Sequence, residues 1–311
     1  MYKFKRYGNS YISTNDILLI TGKDFQVFDL TSGETLFLDK EVFGKRKTDV
    51  SHICVNEKVG IVVLISFDSD YAIYEIDFSK KTINKKMFYK QRHRLYCCDA
   101  ANVWMDNKYA YAIIDQPNGE IVRRISFDGS FKDLVLEESH YIIDFFKIEN
   151  SLVVKNKENK YFIFDRDGFE TGDIFKPFIT NKPTFNVIGD AILNPNTTLV
   201  YNQGVIEFYK DIDSKPFYTF PFNKVINDKF YSSTRIRIID NDVLIAVVQR
   251  EKIGEKKYSL PITKQTITIT QGNETKIIDL GIEDINSPTF NKRWVAYYSC
   301  EHHEVRVQPI K

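Results

Sequence analysis

The sequence predicts an all-β fold: a seven-bladed β-propeller of four-stranded antiparallel blades, in one domain spanning residues 1–311. Three observations predict it. A hairpin unit recurs along the chain, the second strand of each unit is apolar at consecutive positions, and each end of the chain supplies what the other lacks.

In chain order the units read as follows. The first runs from "DILLITG" into the hairpin "DFQVFDLTSGETLF", hinged on Thr31-Ser32-Gly33. The second joins "SHICVNEK", "GIVVLISFD" and "YAIYEIDFSKKTI"; the third joins "LYCCDAANVWMDN", "YAYAIIDQ" and "EIVRRISFDGSFKDLVL". The fourth holds "IIDFFKIEN", "SLVVKN" and "KYFIFDRDGFE", and the fifth "PTFNVIGD", "TLVYNQ" and "VIEFYKDIDSKPFYTF". The sixth has "TRIRIIDND", "VLIAVVQ" and "TITITQGNETKIIDL", and the seventh "SPTFNKR", "WVAYYSC" and "EVRVQPIK". An anchor residue ends the third strand at Asp29, Asp77, Asp128, Asp165 and Asp211, then at Gln271 and Gln308. The intervals average about 46 residues, the period of a four-stranded blade.

Consecutive apolar positions mark a strand covered on both faces, as the inner strands of stacked blades are. The last strands, such as "FKDLVLEES" and "TKIIDLG", alternate as a half-solvated outer edge does. The seventh unit stops one strand short, while the chain begins with an orphan strand, "YKFKRYG". Pairing the orphan onto the last blade would close the ring and remove two free edges. No helix has convincing apolar spacing; the best candidate is "GKRKTDVSHICVNEKV".

Composition agrees. Of the residues, 43% are hydrophobic and 27% charged, with 24 Phe and 18 Tyr among them, the make-up of a soluble, strand-rich chain. A net charge of +1 gives no bulk signal for nucleic acid or membrane. No run reaches the roughly 18 apolar residues of a spanning helix; the longest, "VGIVVLISF", has the length of a buried strand. The N-terminal "MYKFKRYGNSYIST" lacks the apolar core of a secretory signal, so the expected location is the cytoplasm. Cys54, Cys97, Cys98 and Cys300 form no CxxC pair and read as reduced thiols. The matches to a glycosylation pattern at Asn196 and Asn273 carry no weight without a secretion signal.

The hairpins "FQVFDLTSGE" and "KYFIFDRDGFE" resemble the third-strand-and-turn signature of WD-repeat and related propellers. The likeness covers nearly the whole chain, although the Gly-His and Trp-Asp dipeptides of WD repeats are absent from every unit. It implies a rigid disc with a central channel, used mostly to bind other proteins. A fold of this kind hosts many functions, so the site must be argued separately.

Nothing in the sequence marks catalysis. There is no G-x-S-x-G elbow, and His52, His93, His140, His302 and His303 are scattered. An enzyme with residues drawn from several blades to the channel mouth stays open as an alternative. No Gly-rich turn feeds a helix, so no cofactor is expected. In "CEHHE" (Cys300 to Glu304), an extended strand would put His302 and Glu304 on one side and His303 on the other, which does not suit one metal. The acidic turns "FDSD", "DRDG", "DID" and "DND" do not continue into a calcium loop and fit ordinary turn chemistry. No metal is expected.

Charge patterning points to a surface. "KKTINKKMFYKQRHR" (Lys80 to Arg94) holds seven cations and no acid, and "GKRK" is a second basic cluster. The long connection "REKIGEKKYSLPITK" (Arg250 to Lys264) joins the second and third strands of the sixth unit. Antiparallel strand order brings these loops to one face. The candidate partner-binding residues are Lys45, Arg46, Lys47, Tyr89, Lys90, Arg92, His93, Arg94, Lys256, Lys257 and Tyr258, with Phe43 and Phe88 beside them. The function expected is a non-enzymatic platform that binds a partner protein, an acidic one by charge, with Arg and Tyr as anchors. Nucleic acid is the alternative for such a face, but overall neutrality argues against it. A merely solvated edge is the bland reading.

Overall fold

The computed structural model describes residues 1–5, 7–44, 49–66, 68, 70–89, 103–116, 119–148, 151–158, 160–177, 191–192, 198–202, 205–209, 215–216, 218–221, 230–239, 242–255, 261–272, 274–281 and 285–310. Among them the regular structure is β, apart from two short 3-10 turns at Glu138–His140 and Asp167–Phe169. The strands form seven sheets.

The first four sheets each run from an inner to an outer strand in chain order. Sheet 1 is Tyr7–Ile12, Ile17–Gly22, Phe25–Asp29 and Glu34–Asp39; sheet 2 is Val50–Asn56, Ile61–Ser66, Tyr71–Asp77 and Thr82–Tyr89. Sheet 3 is Val103–Met105, Tyr109–Gln116, Gly119–Ser126 and Phe131–Val135, and sheet 4 is Ile142–Ile148, Ser151–Asn156, Tyr161–Phe164 and Phe175–Pro177. Sheet 5 shows three strands, Thr198–Asn202, Val205–Tyr209 and Tyr218–Pro221. Sheet 6 has Phe230–Ile239, Asp242–Glu255, Pro261–Gln271 and Glu274–Gly281, with Ala191–Ile192 added in parallel along its inner strand. Sheet 7 is Ile285–Phe290, Trp294–Ser299 and Glu304–Pro309, and its outer strand is Tyr2–Lys5 from the start of the chain. That strand pairs antiparallel from Tyr2↔Val307 to Lys5↔Glu304.

The consecutive apolar runs are explained by the two-residue period of a strand. In sheet 2, Val62, Leu64, Ala72 and Tyr74 pack toward sheet 1, while Ile61, Val63, Ile65, Tyr71 and Ile73 pack toward sheet 3. In sheet 1, Leu18, Ile20 and Phe28 meet Ala296, Val305 and Val307 of sheet 7. Val295 and Tyr297 on the other side of sheet 7 meet Leu244, Ile267 and Ile269 of sheet 6. Sheets 3 and 4 share Tyr111, Ile113, Val122, Val154 and Phe164, plugged by Phe169 from the second 3-10 turn. Each strand residue therefore serves one seam and its neighbour serves the next.

The aspartate anchors hold the turns between third and outer strands. Asp29 Oδ1 accepts the Thr31 N–H at 2.9 Å, Asp77 Oδ1 accepts the Ser79 N–H at 3.0 Å, Asp128 Oδ1 the Ser130 N–H at 2.9 Å and Asp165 Oδ1 the Asp167 N–H at 3.0 Å. This is the Asx-turn geometry that makes Asp a turn residue. The turns between first and second strands also touch from sheet to sheet. Asn291 donates to Ser13 O and Asp16 Oδ1, Thr14 and Tyr11 donate to Glu57, and Asn56 donates to Asp106 O and to Asn107. These contacts link sheets 7, 1, 2 and 3 with their inner strands in the same direction.

Candidate interaction face

In an antiparallel four-stranded sheet the turn between second and third strands lies at the end where the chain enters and leaves. This end, the loop end, carries the connections at 40–49 and 90–102 and the second-to-third connection of sheet 6. The opposite, turn end carries the tight first-to-second turns.

Of the candidate residues, Lys45, Arg46, Lys47, Lys90, Arg92, His93, Arg94, Lys256, Lys257 and Tyr258 lie outside the described residues. Tyr89 is described: it ends the outer strand of sheet 2 and is half-buried. Its ring stacks on Tyr71 at 4.9 Å and meets Phe131 edge-on at 4.9 Å, so it closes the seam between sheets 2 and 3 where the basic stretch departs.

The structure corrects three details of the sequence reading. Phe43 is not beside the loops as an exposed ring; it is buried among Val42, Val50 and Ile76, with the half-buried Phe88 at 6.1 Å. The Arg250–Lys264 connection is not an open loop. The two strands stay paired past Arg250↔Gln265 through Glu251↔Lys264, Lys252↔Thr263 and Gly254↔Ile262 to Glu255↔Pro261. Among the described residues the pairing of the inner strand of sheet 6 reaches Phe230↔Arg250, and that of the outer strand reaches Gln265↔Gly281. The extra residues thus form a two-stranded ribbon reaching about 15 Å beyond those pairings at ~3.3 Å per residue.

The third correction concerns the basic stretch, whose first half is neutralised. Lys80 lies 3.3 Å from Asp77, Lys81 2.5 Å from Asp29, Lys85 2.8 Å from Asp39 and Lys86 3.7 Å from Glu75. Asp77 and Glu75 share the hairpin with these lysines and were legible; Asp29 and Asp39 belong to sheet 1 and were not. Lys85 also donates to the carbonyls of Glu41 and Val42. Burial alone would raise the pKa of Asp39, but Lys85, the Glu41 N–H and the Tyr74 hydroxyl outweigh it and hold the carboxyl below its ordinary value. Asp29 behaves likewise, its burial outweighed by Lys81, Thr31 and Ser32. Burial, then the Asp39 contact, pushes the Tyr74 hydroxyl strongly up. The exposed charges described at the loop end are of mixed sign, with Lys23, Lys40, Lys157 and Lys160 among Glu41, Asp49, Glu137, Glu138, Glu158 and Glu301.

"CEHHE" is the second-to-third turn of sheet 7, with His302 and His303 exposed and Glu304 buried against Arg306 at 2.8 Å. Tyr298 Oη and His303 Nδ1 are 3.1 Å apart. Among the described residues no three of His, Cys, Asp and Glu converge as metal ligands. No helix of the described residues is long and apolar enough to cross a membrane.

No family model matches the chain, and no curated protein matches it. Solved structures do. The β-propeller domain of Cps50 (Swd1) from Myceliophteria thermophila is 9% identical over 100% of this chain and 99% of that one, with a TM-score of 0.59. The WD40 repeats of RRP9 are 9% identical over 100% and 96%, with a TM-score of 0.57. At that identity the likeness is one of fold, and the chain has the fold of the WD-repeat β-propellers.

Proposed function

We propose that the chain is a single-domain, seven-bladed propeller whose ring is closed by Tyr2–Lys5, and that it is a non-enzymatic platform binding an acidic partner protein at its loop end. The sheet 6 ribbon carries this reading. It departs from the repeat by register rather than by loose length, and it projects at the same end as the basic loops at Lys45–Lys47 and Lys90–Arg94. Insertions in repeat proteins collect on the binding face. The paired strands run to Glu255↔Pro261, next in the sequence to Lys256, Lys257 and Tyr258, and a paired ribbon has little ordering entropy to offset on association. The chain's expected setting is the cytoplasm.

The test joins Arg250 to Gln265 through an Asn-Gly turn, and separately changes Lys45, Arg46, Lys47, Arg92 and Arg94 to Glu. Tagged proteins are cross-linked in cells and compared. Both variants should keep the parent melting temperature and lose the same stoichiometric protein partner. Retention of that partner by both variants refutes the reading.

A further inference from the structure

A second surface lies at the turn end of the disc. Three first-to-second turns share one construction. Asn56 Oδ1 accepts the N–H of Lys58 at 3.1 Å and of Val59 at 3.3 Å. Asp106 Oδ1 accepts those of Lys108 at 2.6 Å and Tyr109 at 2.8 Å. Asn291 Oδ1 accepts those of Arg293 and Trp294, both at 2.8 Å. In each, an Asx residue is turned inward to cap the backbone and the residue two places on is an exposed cation: Lys58, Lys108 or Arg293. Lys292 adds a further exposed cation beside the last.

The acids of the same turns are engaged in the fold. Asp16 is buried beneath Asn291 and Arg293, Glu57 receives Tyr11 and Thr14, and Asp106 also receives the Tyr111 hydroxyl. Arg293 keeps 65% of its side chain exposed while paired to Asp16. Arg166, in the third-to-outer turn of sheet 4, reaches Asp106 at 3.5 Å and the exposed Asp167 at 3.8 Å. Because the turns of sheets 7, 1, 2 and 3 are hydrogen-bonded in succession, these cations stand on one contiguous arc, interspersed with the exposed amide and hydroxyl groups of Asn15, Asn107 and Thr14.

We propose that this arc, Lys58–Lys108–Lys292–Arg293, is a docking site for an acidic peptide segment of a partner. Charge complementarity carries it: the acids of these turns, Asp16, Glu57 and Asp106, are engaged within the fold, the cations point outward, and such a field recruits opposite charge and sets orientation. The uncharged exposed groups on the arc are amides and a hydroxyl, suited to a carboxylate-bearing backbone. Among the described residues the arc offers no exposed aromatic ring for base stacking, which favours peptide over single-stranded nucleic acid.

The experiment uses the full chain and a fluorescein-labelled ten-residue Glu/Asp peptide, with labelled dT10 as the competing probe, followed by anisotropy at low and physiological salt. The parent protein should bind the peptide more tightly than dT10. The double variant Lys58→Glu/Lys108→Glu should bind it about tenfold or more weakly, with its melting temperature unchanged because both residues are exposed. The Lys45→Glu/Arg46→Glu/Lys47→Glu variant at the loop end should bind it as the parent does. Equal peptide affinity in the double variant, tighter binding of dT10, or binding of neither probe overturns the proposal. Peptide binding lost only in the loop-end variant overturns it in favour of the other face.

Discussion

The pairing of Tyr2–Lys5 with Glu304–Pro309 makes a quantitative prediction. Tyr2 packs on Phe28 at 5.0 Å and Trp294 at 6.0 Å, its hydroxyl donates to Leu30 O at 3.2 Å, and Phe4 meets Phe28 edge-on at 5.0 Å. Both rings are half-buried. Removing a fully buried Phe costs about 3–5 kcal/mol, so each half-buried ring contributes about 1.5 kcal/mol. The Tyr2 hydrogen bond adds about 1 kcal/mol. The double variant Tyr2→Ala/Phe4→Ala should therefore lose about 4 kcal/mol in urea unfolding. At roughly 2 °C per kcal/mol for a chain of this size, it should melt about 8 °C lower. Lys3→Ala, whose side chain is exposed on the same strand, should stay within about 0.5 kcal/mol. A double-variant loss under about 1 kcal/mol would show that the first strand is an ornament on the seventh sheet and would refute the reasoning.

Further outcomes follow from single sites. Gly60 sits at φ +68°, and an added Cβ would come within 2.5 Å of Ile76 O, so Gly60→Ala should cost at least about 1–2 kcal/mol by chemical denaturation. Arg123 is buried under Phe131 and bidentate to Asp133 at 2.7 Å; Asp133→Ala removes that pair beside a buried charge and should cost about 3 kcal/mol, more than Arg123→Leu does. Asp29 and Asp39 have lowered pKa values in the folded protein. The unfolded chain binds more protons near and below the ordinary value of 3.8, so their contribution is present above that value and lost as pH falls through the folded pKa. Melting curves between pH 2 and 7 should show a shallower acid limb for Asp29→Asn/Asp39→Asn than for the parent.

Much of the fold was legible because strand chemistry is local. The acidic turns could be read as Asx turns from Asp29, Asp77, Asp128 and Asp165 alone, and the two-sided burial of Ile61–Ile65 follows from apolarity at every position. Register across distant strands is not local. Nothing near Arg250 announces that its strand stays paired as far as Glu255↔Pro261, so the same residues read as a loop. Nor does the run from Lys80 announce Asp29 and Asp39, which face it only after two sheets have packed. The inward turn of Asp106 and Asn291, with Lys108 and Arg293 left outside, is likewise a matter of side-chain direction. Phe43 shows the limit from the other side, since an aromatic next to a basic cluster looks like a surface anchor until the seam beneath it is seen.

The outer strand of the seventh sheet comes from Tyr2–Lys5 and its partner from Glu304–Pro309, so it is synthesised long before the strand it pairs with. Until Glu304–Pro309 has emerged, Tyr2 and Phe4 have no strand to join. A truncation upstream of Glu304 therefore leaves Tyr2–Lys5 without its partner strand.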